Sequence, residues 1–166
     1  MNKFPKLSKF SHLLASFFGI GLLPIAPGTW GSLAGLLLFF SFIYFQLNYF
    51  LLVSLFLCFV ILAIVVCSIA SKDLVEKDNK AIVIDELAGM WVALCPIIYF
   101  ENIGMHERLI YVFICFLLFR FFDITKPFPI SFFDTRIKNG FGIVMDDVVA
   151  GCFAGLISVL ILYFLF

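Results

Sequence analysis

Charged residues are scarce in this sequence, 13% of its 166 positions, while 64% are hydrophobic and the mean hydropathy is +1.16. That apolar share lies far above what a soluble domain carries, and it excludes a water-soluble fold. Neither sign of charge is in excess: eleven basic side chains stand against eleven acidic ones and the pI is near 6.7, so there is no electrostatic footprint for nucleic acid. Paired cysteines are missing as well. Cys58, Cys67, Cys95, Cys115 and Cys152 all lie in apolar stretches without the spacing of a zinc or redox site, and read as small hydrophobes facing other helices or lipid.

At about 20 apolar residues per crossing, a chain this short has room for roughly five helices and little else. Any active site must then be built from helix ends and short loops. Residues 13–23 are apolar but short and glycine-punctuated, and they end in Leu23-Pro24-Ile25-Ala26-Pro27-Gly28. They predict an interfacial or re-entrant helix behind a tail of residues 1–12. Lys3, Lys6 and Lys9 ahead of this run imitate a signal peptide, yet prolines and Gly28 follow it instead of a small-residue cleavage site, so it is kept in the mature chain. Spans are expected at 32–45, 50–70, 81–100, 109–122 and 143–166, with a turn at 46–48, a polar loop at 71–80, another at 101–108 and a longer one at 123–142. The chain thus reads as one all-α, polytopic membrane helix bundle over residues 1–166.

Short cytoplasmic loops carry the excess of Lys and Arg in membrane proteins. Lys3, Lys6, Lys9, Lys72, Lys77, Lys80, Arg120, Lys126, Arg136 and Lys138 fall on one side of this bundle and Arg108 on the other. The N-terminus is therefore expected inside and the C-terminus outside. The same count sorts the acids. Asp85 and Glu86 open the third span, Asp123 closes the fourth, and Asp146 and Asp147 open the fifth, all at cytoplasmic helix ends. Asp73, Glu76, Asp78 and Asp134 fall in inner loops, and Glu101 and Glu107 outside.

Carboxylates within a membrane boundary are costly, and in a bundle they face its interior and mark a site. Acids from three helices repel one another unless counter-charge is present, either from Arg120, Lys126, Arg136 and Lys138 or from a bound divalent cation. With no cysteine placed to help and with His12 and His106 isolated, an all-oxygen donor set favours Mg²⁺ or Mn²⁺ over zinc. Asp85, Glu86, Asp146 and Asp147 are the candidate ligands. Neighbours on a helix diverge by about 100°, so one member of each adjacent pair is expected on the ion while the other holds a second ion, a water or a lysine. For any single acid, complementing the helix dipole is the plainer alternative.

Groups suited to phosphate lie opposite. Pro27-Gly28-Thr29-Trp30-Gly31-Ser32 opens the first span, where Thr29 or Ser32 can cap the helix and free N–H groups can face an anion. A cap beside an interfacial tryptophan would account for the same residues. Arg120 shares a helix face with Asp123, and Lys126-Pro127 stops that helix immediately below. Simple snorkelling is the competing account of Arg120. Carboxylates, a divalent ion, lysine and arginine at a membrane surface are the parts that phosphoryl transfer requires. Other phosphatase chemistries lack their residues: no Cys is followed six positions later by Arg, no Asp-x-Asp pair exists, and neither histidine is placed to attack.

These motifs resemble the bacterial phosphatidylglycerophosphatase A family. The resemblance rests on residues 21–32, Lys72-Asp73, Ile84-Asp85-Glu86 with Gly89-Met90-Trp91, Phe119-Arg120 through Asp123 to Lys126-Pro127-Phe128-Pro129-Ile130, Phe133-Asp134, and residues 140–147 with Ala150-Gly151. It implies hydrolysis of the terminal phosphate of phosphatidylglycerophosphate, a phospholipid substrate drawn from the membrane, with Mg²⁺ as cofactor. It also implies the bacterial inner membrane, with a site facing the cytoplasm. Its matched positions are Asp85, Glu86, Asp123, Asp146 and Asp147 on the acidic, catalytic side, and Thr29, Arg120 and Lys126 on the substrate side.

Two rivals remain at the level of sequence. A small carboxylate-lined cation or proton transporter would place acids near mid-bilayer or on both sides of it. A structural subunit of a membrane complex would leave the gathered acids without a role. The charge count itself is testable: a reporter fused after Phe166 should show external exposure, and a cytoplasmic signal would mean a miscounted span.

Overall fold

The computed structural model describes residues 4–45, 47–73, 79–100 and 103–165. Lys3, Glu76, Lys77, Asp78 and Glu101, and with them parts of the expected tail and loops, lie outside the described residues. Those described form an all-α architecture of seven helices: α1 Phe10–Ala15, α2 Pro27–Tyr44, α3 Tyr49–Ala70, α4 Ile84–Leu94, α5 Met105–Thr125, α6 Ile130–Arg136 and α7 Gly140–Leu165. Three of them, α2, α3 and α7, are long and apolar enough to cross a membrane.

The N-terminal segment expected to lie in the interface is α1 followed by a tight turn. Phe17, Phe18 and Gly19 take positive φ in succession, which ends the helix and reverses the chain into the 3₁₀ turn Ile20–Leu22. Residues 4–12, read as a tail, fold back on this unit. His12 is buried, accepts the Lys6 N–H at Nδ1 (3.0 Å) and packs against Phe4. The unit docks on the approach to α4, where the Val83 N–H donates to the Ala15 carbonyl (2.9 Å).

Helix α2 begins five residues before the predicted span because Pro27, whose fixed φ suits a first helical position, starts it from a left-handed Ala26. Thr29 and Ser32 therefore sit inside the first turns and neither caps; Ser32 Oγ donates back to the Gly28 carbonyl (2.8 Å). Asn48 caps α3 by accepting the Leu51 N–H (2.8 Å).

The third expected span differs most. Helix α4 has eleven residues and passes at Cys95 into the 3₁₀ segment Cys95–Tyr99, where Pro96 cannot donate to an α-helical ladder. Helix α5 is 21 residues long but carries Glu107 and Arg108 at one end and Arg120 and Asp123 at the other, which separates it in composition from α2, α3 and α7. The expected loop 123–142 contains α6, anchored by the buried Ile130.

The short α4 is the central element. It packs along α7 and is flanked by α2 and α5, while α3 and α6 lean on α7. Helices in lipid gain little from hydrophobic exclusion and associate through close contact of small residues and buried hydrogen bonds. Here Gly31 and Gly35 of α2 meet Val83 and Leu87, and Gly151 and Gly155 of α7 lie against the Gly89 and Ala93 backbone. Trp91 Nε1 donates to the Gly35 carbonyl (2.8 Å), and Tyr111 Oη and Cys115 Sγ reach the Ala93 carbonyl (2.9 and 3.0 Å). All five cysteines are free.

The α4/α7 contact sets a stability prediction. A Cβ at Gly151 would overlap the Gly89 carbonyl oxygen, so the backbones must part. Gly151→Val should cost about 1–3 kcal/mol, as overpacking does, read as a lowered unfolding midpoint in detergent micelles. Leu156→Val, at an exposed position of the same helix, should be nearly silent.

Candidate active site

The starts of α2, α4 and α7, the end of α5 and helix α6 meet on one side of the bundle. They surround an open pocket of about 1220 Å³. Asp85, Glu86, Arg120, Asp123, Lys126, Asp146 and Asp147 all line it. Thr29, the remaining candidate, is half-buried and lies outside the pocket wall.

The acids divide into three groups. Asp85, Glu86 and Asp147 each offer a carboxylate oxygen, and these atoms lie within 4.8 Å of one another. Asp85 and Glu86 are neighbours on α4, yet both reach this point, because the longer Glu86 side chain offsets the angle between their Cα–Cβ directions. Asp146 diverges from Asp147 as adjacent residues should; its Oδ2 accepts from Lys126 Nζ at 2.7 Å. Asp123 Oδ2 accepts from Arg120 Nη1 at 2.5 Å, and the same guanidinium nitrogen lies 3.4 Å from Ser32 Oγ on α2.

Burial is severe for groups of this charge. Asp85, Asp146 and Asp147 are 9%, 5% and 4% exposed. Glu86 Oε2 is enclosed without a hydrogen-bond partner, and so is Arg120 Nε. Unpartnered buried carboxylate oxygen is costly. Three oxygen donors converging beside it, with no histidine or cysteine in the group, form a donor set that fits a hard divalent cation. Gly28 is shaped to the same point: a Cβ there would collide with Glu86 Oε1 and come within 3.1 Å of Arg120 Nη1, so α2 approaches the acids only because this residue has no side chain.

Lys126 caps α5 in the left-handed region and turns its side chain toward α6 and α7, donating to Asp134 Oδ1 (2.6 Å) as well as to Asp146. Burial opposes its charge, but Asp146 and Asp134 outweigh burial and hold its pKa above the ordinary lysine value. Such a raised pKa contributes stability that is fully present below the unfolded lysine pKa and is lost only as pH rises through the folded one. At neutral pH the lysine therefore carries its charge.

Sequence reasoning missed Asp134, which it left in a loop, and the pocket position of Lys80; of the other counter-charges it offered, Lys138 lines the pocket and Arg136 does not. Asp134 carried no spacing signal. It meets Lys126 because Pro127 and Pro129 end α5 and α6 then doubles back.

The model of the family described as phosphatidylglycerophosphatase A matches residues 13–162. A protein named phosphatidylglycerophosphatase A from Haemophilus influenzae is 39% identical over 93% of this chain and 90% of its own length. One of the same name from Escherichia coli is 40% identical over 96% of this chain and 86% of its own. A putative phosphatidylinositol-3-phosphatase from Bacteroides thetaiotaomicron is 32% identical over 86% and 87%. No solved structure matches the chain.

The two Lys126 bridges differ in depth, since the Asp146 side chain is 7% exposed and that of Asp134 31%. Lys126→Met strands Asp146 without its cation, whereas Asp134→Asn removes only the outer partner. The lysine variant should lose about 1.5–3 kcal/mol, the range for hydrogen bonds to charged groups, and the aspartate variant clearly less. Thermal unfolding of the two variants in the same detergent measures the difference.

Proposed function

Since the chain belongs to the phosphatidylglycerophosphatase A family, a family of phosphoric monoester hydrolases, we propose that it removes the terminal phosphate of phosphatidylglycerophosphate, leaving phosphatidylglycerol and inorganic phosphate. The observation that carries this reading is the convergence of Asp85, Glu86 and Asp147 beside Arg120 and Lys126 in one pocket. A phosphate monoester needs cations on its oxygens. Arg120 and Lys126 line this pocket beside the acids.

Asp85, Glu86 and Asp147 would hold Mg²⁺, with Asp146 beside them on its lysine. When bound there, Mg²⁺ supplies positive charge to phosphate oxygens that the carboxylates alone would repel. The protein's own groups bind and orient. Arg120, steadied by Asp123 and near Ser32, presents a planar fork suited to two phosphate oxygens. Lys126 adds a point charge beside α6 and α7, and its two carboxylates keep it protonated and fixed in direction. Asp123 is a positioning residue in this scheme, acting through Arg120.

The site is expected at the cytoplasmic face of the bacterial inner membrane. Ten of the eleven basic residues belong by sequence to the pocket end, which supports that orientation. The rival reading, a cation or proton transporter, has less support, because the buried carboxylates among the described residues all stand at one end of the bundle.

Purified protein should release phosphate from phosphatidylglycerophosphate with Mg²⁺ and stop when a chelator is added. Asp85→Asn and Asp147→Asn should abolish turnover and weaken Mn²⁺ binding followed by electron paramagnetic resonance, with helical content unchanged. Parental activity in both variants at limiting Mg²⁺ would remove the ion from this cluster. Arg120→Lys keeps the charge but loses the fork, so kcat as well as KM should suffer, by about 1.5–3 kcal/mol in kcat/KM. A kinetically silent Arg120→Lys would make the arginine an interfacial anchor.

A further inference from the structure

The pocket rim is chemically two-sided. Toward α6, α7 and the segment before α4 it carries Lys80, Asp134, Thr135 and Lys138. Toward the start of α2 and the end of α5 it carries Pro24, Ala26, Pro27 and Ile124, while Arg120 and Asp123 at the same end are recessed, their side chains 16% and 14% exposed. This second edge is continuous with exposed apolar surface. Ile124 lines the pocket and is nevertheless 71% exposed, and Ile25, between the two rim residues Pro24 and Ala26, is 78% exposed. Trp30, 46% exposed, donates its indole N–H to the Ile25 carbonyl (3.1 Å), which ties that turn to the first turn of α2.

Helices α2 and α5 each pack on α4, and the Arg120 guanidinium reaches across between them to the vicinity of Ser32 and Gly28. The space beside the acids is thus bordered, at two helix ends, by apolar residues that are exposed. A molecule with a phosphate in the pocket and hydrocarbon elsewhere can lay its hydrocarbon over Ile25 and Ile124, which stand far more exposed than Arg120 and Asp123. A wholly polar phosphate monoester would gain nothing from that edge.

We propose that the edge formed by the Pro24–Pro27 turn and Ile124 is a lateral portal that seats the glycerol backbone and upper acyl chains of the lipid substrate while its phosphate lies in the pocket. The inference rests on the lipid phosphatase reading above and adds to it the face from which the substrate enters and the residues that select for a lipid tail. Ile25 and Ile124 contact the hydrocarbon, and the hydrogen bond from Trp30 holds the turn that presents Ile25.

Two measurements test this. In kinetics, long-chain phosphatidylglycerophosphate is compared with a short-chain, monomerically soluble analogue bearing the same head group. Ile25→Asn and Ile124→Asn should lower the ratio of kcat/KM for the long-chain over the short-chain substrate by about tenfold, and Leu at either position should restore it. An unchanged ratio would overturn the portal. Absence of phosphate release by the parent protein from both substrates would instead overturn the phosphatase reading. The second measurement does not depend on turnover. Of the two tryptophans, Trp91 is buried in the bundle and Trp30 is at the proposed portal. In the Trp91→Phe protein, bilayers containing phosphatidylglycerophosphate brominated high on its chains should quench Trp30 more than bilayers with the same fraction of brominated phosphatidylcholine. Should Trp91→Phe fail to fold, the same comparison on the parent, where buried Trp91 is a common background, gives the difference. Equal quenching by the two lipids would mean that Trp30 faces bulk lipid alone and that no portal lies there.

Discussion

Carboxylates enclosed at one end of an apolar bundle are costly unless a proton or a positive charge neutralises them, and the pairing of the polar groups around the pocket answers that constraint. Asp146 has Lys126, and Asp123 has Arg120. Asp85, Glu86 and Asp147 have no protein cation at ion-pair distance among the described residues, and Glu86 retains an unpartnered oxygen. A buried charge without a partner costs several kcal/mol. The bundle therefore divides its acids into those paired with a protein cation and those that are not, and the second group is the one to which the proposed metal would bind.

Holding these groups together falls to packing that is unusually close for side chains of this hydrophobicity. α4 supplies Asp85 and Glu86 and is enclosed by α2, α5 and α7. Glycine and alanine at its contacts let backbones approach, and Trp91, Tyr111 and Cys115 fasten neighbouring helices to main-chain carbonyls. In lipid such contacts substitute for the hydrophobic drive that shapes soluble cores. The eleven-residue length of α4 serves the same end: a helix shielded on its sides by three others need not match the bilayer thickness on its own.

Much of the site was legible before any coordinates. The positions of Asp85, Glu86, Asp123, Asp146 and Asp147 at one set of helix ends follow from the hydropathy pattern alone, and Arg120 and Asp123 pair at the three-residue spacing that a helix makes adjacent. Thr29 was less legible. A threonine near a helix start suggests a cap, but Pro27 begins the helix earlier and leaves Ala26 at the cap position. The loop 123–142 gave no periodicity long enough to reveal the seven-residue α6, so Asp134 could not be connected to Lys126.

Composition and motif order determined that this chain is a helical membrane protein of a lipid phosphatase family with its acids at one face, because hydrophobic runs and local spacing are properties of the chain itself. Only the tertiary structure decided which acid meets which cation. Spacing along a helix fixes a face but not what stands opposite: Lys126 could have served any of the nearby acids, and it serves Asp134 and Asp146 because the turn after α5 brings α6 back against α7. Glu86 joins Asp85 and Asp147 because side-chain length and the approach of α2 at Gly28 allow it. These are contacts between elements distant in sequence, set by how helices pack.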